Sequence, residues 1–306
     1  MHIQWYPGHM HKANKEIKEV LPKIDLIIEV LDARIPFSSQ NPLLSTLRGE
    51  NPCIRVLSKS DLADPDITLQ WQAYLEQEQG VKTLAVTTQQ PEKIKLITQL
   101  CQSMIPLKGS NDKIIKTMIM GIPNVGKSTI INILANRIIA KTGNEPAVTK
   151  RQQRIKLKDN IVLFDTPGVL WPNIENQNSG YRLAATGAIK DTAMVYNDVA
   201  FFTAEYLLKT YPEELKKRFQ LESLPDNESD LIESIGRKRG CLRSGKQVDI
   251  EKASKIIIGE LRSGAIGKIT LETPEMIEKE LIELNLKKEQ KTAKKEARKQ
   301  KWKAKK

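Results

Sequence analysis

The sequence predicts an α/β fold followed by a helical region, and two observations support this. From residue 24 to about residue 163, short apolar runs rich in β-branched residues alternate with longer amphipathic stretches, which is the pattern of βαβ units around a parallel sheet with helices on both faces. After about residue 181 the short runs end and helical periodicity alone continues. With 306 residues, 40% of them hydrophobic and 28% charged, the chain has the composition of a folded protein and room for about two domains.

The individual elements follow from the same periodicities. We expect strands at residues 26–31, 54–57, 83–87, 116–120, 154–157 and 161–164, with helices at 66–79, 92–104 and 127–137 between them. Residues 158–160, Lys-Asp-Asn, separate the last two strands and predict a hairpin turn. Further helices are expected at 198–210, 213–219, 230–238, 250–262 and 274–284.

The expected domain organisation has three parts. A boundary near residues 175–190 gives a first domain at 1–185 and a helical domain at 186–286, followed by a basic tail at 287–306. The tail holds eleven basic and two acidic residues, and so carries nine of the twelve net positive charges. Such concentrated charge suits the neutralisation of phosphates on a polyanion, where Trp302 could stack on a base. The alternative is a charged, frayed helix that serves only solubility.

Several classes of protein are excluded by what the sequence lacks. No apolar run approaches the roughly 20 residues that a membrane span needs, and the first residues do not have the pattern of a secretory signal. Cys53, Cys101 and Cys241 form no C-x-x-C pair, which argues against a zinc site and a disulfide framework. We therefore expect a cytoplasmic protein without a membrane span.

A phosphate-binding loop is predicted at residues 121–128, Gly-Ile-Pro-Asn-Val-Gly-Lys-Ser. It matches G-x-x-x-x-G-K-[ST] and lies between a predicted strand and a predicted helix, where backbone N–H groups and the helix N-terminus can bind phosphates. Lys127 would contact the β- and γ-phosphate oxygens and Ser128 would bind Mg²⁺. The other residues expected to contact the nucleotide are Asn124, Val125, Gly126 and Thr129.

A second phosphate motif follows the last predicted strand. In residues 165–168, Asp-Thr-Pro-Gly, Asp165 can bind Mg²⁺ through water and the N–H of Gly168 can contact the γ-phosphate. The polar segment 142–150 between the two motifs could close over the site and bring Thr149 to Mg²⁺ and the γ-phosphate.

Recognition of guanine is predicted for residues 58–61, Ser-Lys-Ser-Asp, at the end of a strand. The carboxylate of Asp61 can accept hydrogen bonds from both N–H groups of the guanine edge, and Lys59 can flank the ring. Ser60 lies between these two residues in the sequence and is expected to contact the nucleotide as well. The usual first residue of this motif is Asn, and Ser58 lacks the amide that would tie the loop to the phosphate loop, so we expect modest affinity. Thr87 and Thr88, after the next strand, are placed to support the guanine oxygen.

The order of these motifs, base recognition before phosphate loop, resembles that of the circularly permuted GTPases. The resemblance covers essentially the whole chain, and its other carriers are residues 5–10 (Trp-Tyr-Pro-Gly-His-Met), 32–36 (Asp-Ala-Arg-Ile-Pro), 41–42, 239–242, Asp249 and 261–264. It implies a P-loop GTPase domain, a helical RNA-binding domain and a role in assembly of the large (50S) ribosomal subunit. The GTP-bound form would dock on the precursor particle, hydrolysis would release it, and we expect a monomer.

Catalysis is expected to be slow without the particle. Many GTPases have Gln directly after the Gly of the Asp-x-x-Gly motif, but Val169 and Leu170 follow Gly168 here, and neither can orient water. The resemblance implies that Asn124 binds an activating K⁺, although it could instead only shape the loop. It also singles out His9 as a catalytic candidate.

Three alternatives remain beside this interpretation. Permuted GTPases of the small subunit carry an OB-fold or a zinc-binding Cys cluster, which the sequence lacks. A nucleic-acid-binding scaffold with a vestigial site would not need intact Lys127, Ser128 and Asp165. A small-molecule kinase is disfavoured by Asp61 and by the lack of an Arg-rich lid segment.

Overall fold

A computed structural model of the chain describes residues 5–42, 48–105, 114–140 and 153–303, with side chains described as far as residue 296. Its centre is a six-stranded sheet in the order β3-β2-β1-β4-β6-β5. The strands are β1 (Leu26–Asp32), β2 (Cys53–Ser58), β3 (Val81–Ala85), β4 (Ile115–Gly121), β5 (Gln153–Lys156) and β6 (Ile161–Asp165). All neighbours are parallel except β5 and β6.

The predicted strands are confirmed with small shifts of their ends. The largest shift is at β3, which begins and ends two residues before the predicted range. The hairpin between β5 and β6 is also confirmed, because Asp159 and Asn160 both take the left-handed conformation, with φ of 59° and 56°. This hairpin makes β5 the antiparallel edge strand of an otherwise parallel sheet.

The middle of the sheet is buried on both faces. Every residue of β1 and β2 is buried, which is why these strands are mostly apolar without strict alternation, and the charged Glu29 and Arg55 within them form a buried ion pair. In register, Val30 of β1 pairs with Val56 of β2 and with Gly121 of β4. The carboxyl ends of these parallel strands therefore meet at one edge, where the loops after β1, β2 and β4 lie together.

Helices pack around the sheet and then form the C-terminal part of the chain. They are α1 (Gly8–Val20), α2 (Pro65–Leu75), α3 (Pro91–Met104), α4 (Lys127–Ala135), α5 (Gln177–Ala185), α6 (Tyr196–Thr210), α7 (Pro212–Phe219), α8 (Glu228–Lys238), α9 (Ile250–Ser263) and α10 (Pro274–Lys303). We call residues 177–303 the helical region. Its core is continuous with that of the sheet, because buried residues of α5, α6 and α9 belong to the same hydrophobic cluster as those of β1 and β4.

Two helices are not predicted from the sequence pattern. In α1, three of the thirteen residues are buried, so the apolar stripe is narrow. In α5, Gly180 lowers the helix propensity, but Asn176 caps the first turn and residues 182–185 are buried. Tertiary burial therefore outweighs the weak local preference in both segments.

The last helix is longer than predicted. The sequence pattern gives a helix at 274–284, whereas α10 continues through most of the basic tail to Lys303. Lys, Glu and Ala favour helices, and the ion pairs Glu275–Lys279 and Glu283–Lys287 add support one turn apart. The basic charges of the tail are thus carried on a helix, as far as Lys303.

The three cysteine side chains lie in the interior of the protein. Cys53, Cys101 and Cys241 are free and buried, and burial raises the pKa of Cys53 and of Cys101 to about 12, so both thiols are unreactive at neutral pH. Across the described ranges, no helix has the length and apolar character needed to cross a membrane.

Candidate functional site

The phosphate loop lies at the carboxyl edge of the sheet, between β4 and α4. Gly126 precedes the first turn of α4 with φ of 93°, a conformation that side chains rarely adopt. Gly121 lies so close to β1 that a Cβ atom would come within 2.6 Å of the Val30 carbonyl oxygen. A Cβ on Gly168 would come within 3.0 Å of Pro123 Cα, so the Asp-x-x-Gly turn packs directly on the phosphate loop.

The two phosphate motifs meet through a buried ion pair. Nζ of Lys127 lies 2.5 Å from Oδ1 of Asp165, and both side chains are almost fully buried. Oδ2 of Asp165 is also buried and has no hydrogen-bond partner among the described residues. Burial raises the pKa of the Asp165 carboxyl and lowers that of the Lys127 ammonium, and the contact between them opposes both shifts.

These residues fit a magnesium ion that a nucleotide would bring with it. The buried, unpartnered Oδ2 of Asp165 is an acceptor that lacks a donor or cation, and Ser128 lies in the first turn of α4. No cluster of three or more His, Cys, Asp or Glu in the described part of the chain could hold a metal by itself. Most ligands would therefore be phosphate oxygens and water, as Mg²⁺ prefers. Thr149 lies outside the described residues.

The predicted guanine loop is tied to the phosphate loop through Ser58 and Lys59. The buried hydroxyl of Ser58 lies 2.6 Å from the carbonyl oxygen of Val125 and 2.8 Å from that of Leu31. Nζ of Lys59 donates to the Asn124 carbonyl oxygen at 2.7 Å. The sequence predicts that Ser58 lacks a contact with the phosphate loop, because it has no amide. That prediction is wrong, because the Ser58 hydroxyl makes the contact. A hydroxyl has one hydrogen, however, so it can serve only one of its two carbonyls at a time.

The other predicted base-recognition residues lie beside this loop. The N–H of Ser60 donates to the carbonyl oxygen of Val86 at 3.1 Å, which joins the loops after β2 and β3. Asp61 is half-buried, with its Oδ2 3.5 Å from Nε2 of Gln89. Thr87 is buried and Thr88 is exposed. The structure thus brings both predicted segments together and adds Gln89, for which the sequence held no signal beyond its position after the two threonines.

The catalytic candidates have different surroundings. Asn124 takes the left-handed conformation, with φ of 57°, and its Nδ2 donates to the Gly187 carbonyl oxygen at 3.4 Å. Its Oδ1 accepts no hydrogen bond from the described residues and so is open to a cation. His9 is exposed in the first turn of α1. Val169 and Leu170 are 1% and 0% exposed, so two buried apolar side chains follow Gly168.

Two further residues contact the site, and sequence reasoning had not given them a role in it. Asp32 is the last residue of β1, and its Oδ2 accepts a hydrogen bond from Nζ of Lys59 at 3.1 Å. Arg34 donates to both carboxylate oxygens of Asp32, from Nη2 to Oδ2 at 2.7 Å and from Nε to Oδ1 at 2.9 Å. The Arg34 and Lys59 charges hold the pKa of Asp32 well below its usual range in spite of its burial. The available signal was an Asp directly after an apolar strand, with Arg two residues later.

Comparisons with known proteins agree with this geometry. A family model described as "50S ribosome-binding GTPase" matches residues 116–228. Ribosome biogenesis GTPase A of Bacillus cereus is 44% identical over 282 residues, covering 90% of this chain and 95% of that protein. The Thermotoga maritima protein of the same name is 31% identical over 275 residues, covering 90% and 96%. The GDP-bound and GNP-bound structures of Thermotoga maritima YlqF match with a TM-score of 0.61 and 26% identity, covering 85% and 87% of this chain and 99% of each structure.

Proposed function

Since this chain belongs to the ribosome biogenesis GTPase A family, and so is a GTP-hydrolysing ribosome assembly factor, we propose that it acts on the precursor of the large (50S) subunit. Its GTP-bound form docks on the particle, and hydrolysis stimulated by the particle releases it. The observation that carries the proposal is the meeting of three motifs at one edge of the sheet, where Ser58 and Lys59 contact the phosphate loop and Lys127 contacts Asp165.

The fold is that of a GTPase whose motifs run in circularly permuted order. Along the sheet, the phosphate-loop strand β4 has β6, which ends in Asp165, on one side and β1 and β2 on the other. Along the chain, β2 and its guanine loop precede β4. The sheet is complete in either chain order, because strand pairing depends on neighbours in space and not on where the chain begins.

Nucleotide binding would replace the ion pair between Lys127 and Asp165. Phosphate oxygens take the place of Asp165 beside Lys127, so the buried ammonium keeps a negative partner. Ser128, and Asp165 through water, would hold an Mg²⁺ ion, which would neutralise phosphate charge. The N–H of Gly168 would contact the γ-phosphate, and the packing of its turn on the phosphate loop supports this role. Thr149, which lies outside the described residues, is proposed as a further Mg²⁺ ligand.

Selection of guanine comes from the loop after β2. Asp61 accepts the two N–H groups of the guanine edge, and the stem of Lys59 covers one face of the ring while its ammonium is held by Asn124 and Asp32. Thr87 and Thr88 support the guanine oxygen from the neighbouring loop. Contact between the Ser60 N–H and Val86 keeps these loops in one arrangement.

Hydrolysis is slow without the particle, because the residues after Gly168 are buried and apolar. The polar groups must then be supplied from elsewhere. Oδ1 of Asn124 would bind an activating K⁺, because an amide oxygen suits a hard cation. The bound K⁺ would add positive charge beside the phosphates. His9 is exposed, and we propose that it positions the attacking water in the stimulated state.

The helical region and the tail provide the surface for the particle, residues 186–286 as an RNA-binding domain and 287–306 as a basic extension. Residues 237–247 contain five basic and no acidic side chains, and all of them except Cys241 are exposed. Their hairpin is closed by a bridge between Leu242 and Val248. An exposed basic surface of this kind suits RNA phosphates. We further propose that the protein acts as a monomer in the cytoplasm.

Nucleotide-dependent co-sedimentation tests the proposed function. The full chain is mixed with precursor 50S particles, and separately with 30S particles, in the presence of a non-hydrolysable GTP analogue or of GDP. We expect pelleting with the precursor 50S particles and the analogue, and much less with GDP. Equal pelleting with both nucleotides would contradict docking by the GTP-bound form, and binding to 30S particles alone would contradict the choice of subunit.

A further inference from the structure

The guanine loop is held on its outer side by the helical region. The N–H of Ile269 donates to the Leu62 carbonyl oxygen at 2.9 Å, and the N–H of Asp64 donates to Oγ1 of Thr270 at 3.0 Å. Gly264 lies against Leu62, because a Cβ there would come within 2.7 Å of the leucine Cδ2 atom. Residues 62–64 directly follow Asp61, so the loop lies between the phosphate loop and the segment that joins α9 to α10.

A second connection runs from Lys59 through Asp32 and Arg34. Oδ2 of Asp32 accepts from Nζ of Lys59, and its two oxygens accept from Nε and Nη2 of Arg34. Arg34 is 1% exposed, and its carbonyl oxygen accepts the N–H of Leu271 at 2.8 Å. The orientation of the lysine thus depends on a buried pair whose backbone is bonded to the helical region.

The guanidinium of Arg34 also reaches the ends of two helices. Its Nη1 and Nη2 atoms lie 3.4 Å from the carbonyl oxygens of Arg262 and Thr186, at the C-terminal ends of α9 and α5. Arg262 also contacts the end of α5, because its Nη2 donates to the Ala184 carbonyl oxygen at 2.8 Å and its Nε donates to that of Ala185 at 3.0 Å. Carbonyls at helix C-termini lack partners within their own helix and carry partial negative charge, so guanidinium groups suit them.

We propose that residues 262–271 are a positioning element for the guanine loop: through Leu62 and Asp64 on one side and Arg34 and Asp32 on the other, they hold Lys59 and Asp61 in the arrangement that binds guanine. The inference rests on the proposed role of the guanine loop. Its consequence is that the helical region sets the affinity for guanine nucleotides. By linkage, a partner that displaces these residues changes nucleotide affinity, and nucleotide changes the affinity for that partner by the same factor.

The proposal can be tested with substitutions at residues outside the guanine loop and the phosphate loop. Thr270→Val is nearly isosteric and removes the acceptor of the Asp64 N–H, whereas Thr270→Ser keeps the hydroxyl. Arg262→Ala removes the bonds to α5 and an ion pair with Asp191 from a side chain that is 24% exposed, so folding should survive. Its matched control is Arg218→Ala on α7, which breaks an ion pair with Glu260 of α9, and within the described part of the chain Arg218 donates no hydrogen bond to α5. Circular dichroism and thermal unfolding of the full chain establish that each variant is folded.

The readout is binding of fluorescent GDP, with Mg²⁺-tripolyphosphate as a competitor that uses the phosphate loop without the base. We expect Thr270→Val to weaken GDP binding about fivefold, as loss of one hydrogen bond of about 1 kcal/mol would do, and Arg262→Ala, which loses several contacts, to weaken it by at least about fivefold. Tripolyphosphate affinity should stay within twofold, as should GDP binding by Thr270→Ser and Arg218→Ala. An equal loss for both ligands would show a general disturbance of the site and would overturn the proposal.

Asp61→Ala separates this inference from the function on which it rests. If Asp61→Ala loses GDP affinity while Thr270→Val and Arg262→Ala bind as the parent does, the guanine loop is correctly identified and the positioning element is wrong. If Asp61→Ala itself binds GDP normally, the guanine loop of the proposed function is wrong, and the inference falls with it.

Discussion

Nζ of Lys127 lies 2.5 Å from Oδ1 of Asp165 in a site where both side chains are excluded from water. A buried pair of this kind is costly to break by removing one partner, because the other charge is then left without compensation. The remaining carboxylate oxygen, Oδ2, has no partner among the described residues. In the proposed function, Lys127 would bind phosphate and Asp165 would hold Mg²⁺.

The first prediction concerns Asp165→Asn. The amide keeps the shape of the side chain but loses the charge that holds Mg²⁺ and neutralises Lys127, so we expect turnover to fall roughly 10²-fold and thermal stability without nucleotide to decrease. Bound GDP should restore much of the stability, since its phosphates again pair with Lys127. Turnover against Mg²⁺ concentration and thermal unfolding measure both effects. Asp159→Asn, in the β5–β6 turn, is the control, and unchanged turnover of Asp165→Asn would refute the assignment.

The second prediction concerns Ser58→Ala. Removal of the hydroxyl leaves the Val125 and Leu31 carbonyl oxygens without this donor, which should weaken GDP binding about fivefold, or about 1 kcal/mol. Ser103→Ala provides the comparison, because that serine donates to Leu100 on an exposed helix face. GDP titrations on both variants decide the matter. Equal affinity for Ser58→Ala and the parent would mean that the hydroxyl does not hold the two loops together.

The third prediction concerns the activating cation. We expect turnover to fall severalfold when Na⁺ replaces K⁺, because Na⁺ is smaller and would not bridge Asn124 and the phosphates in the same way. Asn124→Asp should keep the dependence on K⁺, since it keeps an oxygen ligand. Asn124→Gly should lose it, although glycine accepts the left-handed backbone. If the Gly variant still responds to K⁺, or if the parent is indifferent to the exchange, Asn124 only shapes the loop.

The fourth prediction concerns His9→Ala. If this histidine positions the attacking water, turnover in K⁺ with saturating precursor particles should fall by about 10²-fold, the usual contribution of such a group. His11→Ala, another exposed histidine in the same helix, should retain the activity of the parent. A loss of less than about twofold for His9→Ala would exclude the catalytic role.

The fifth prediction concerns the basic tail. Truncation after Leu286 should weaken binding to precursor particles and reduce the salt dependence, by slightly less than one unit of the logarithmic slope for each RNA phosphate that the tail neutralises. A full-length variant with the tail lysines replaced by glutamine separates charge from helix length. If truncation leaves affinity and slope unchanged, the tail serves only solubility. If the glutamine variant binds as the parent does, charge is not the cause.

The motifs and the strands could be predicted because their signals are local. Apolar runs bounded by turn residues define β1, β2 and β4, and the loops after them carry the polar residues of the site in a few consecutive positions. α1 and α5 could not be predicted in the same way, because their helical conformation depends on a few residues that are buried only when the sheet is present. The length of α10 was missed for the opposite reason, since its exposed half has helix propensity without an apolar stripe.

By itself, the sequence determined which residues could bind phosphate, magnesium and guanine, and that these motifs run in permuted order, because each motif is a short run whose spacing is fixed by the chain. Only the tertiary structure decided that the Ser58 hydroxyl makes the tie expected of an amide, that Asp32 and Arg34 lie beside Lys59, and that Thr270 contacts Asp64 while the Arg262 carbonyl contacts Arg34. These contacts join residues up to 228 positions apart. Their distances depend on how the sheet and the helical region pack against each other, which local patterns do not encode.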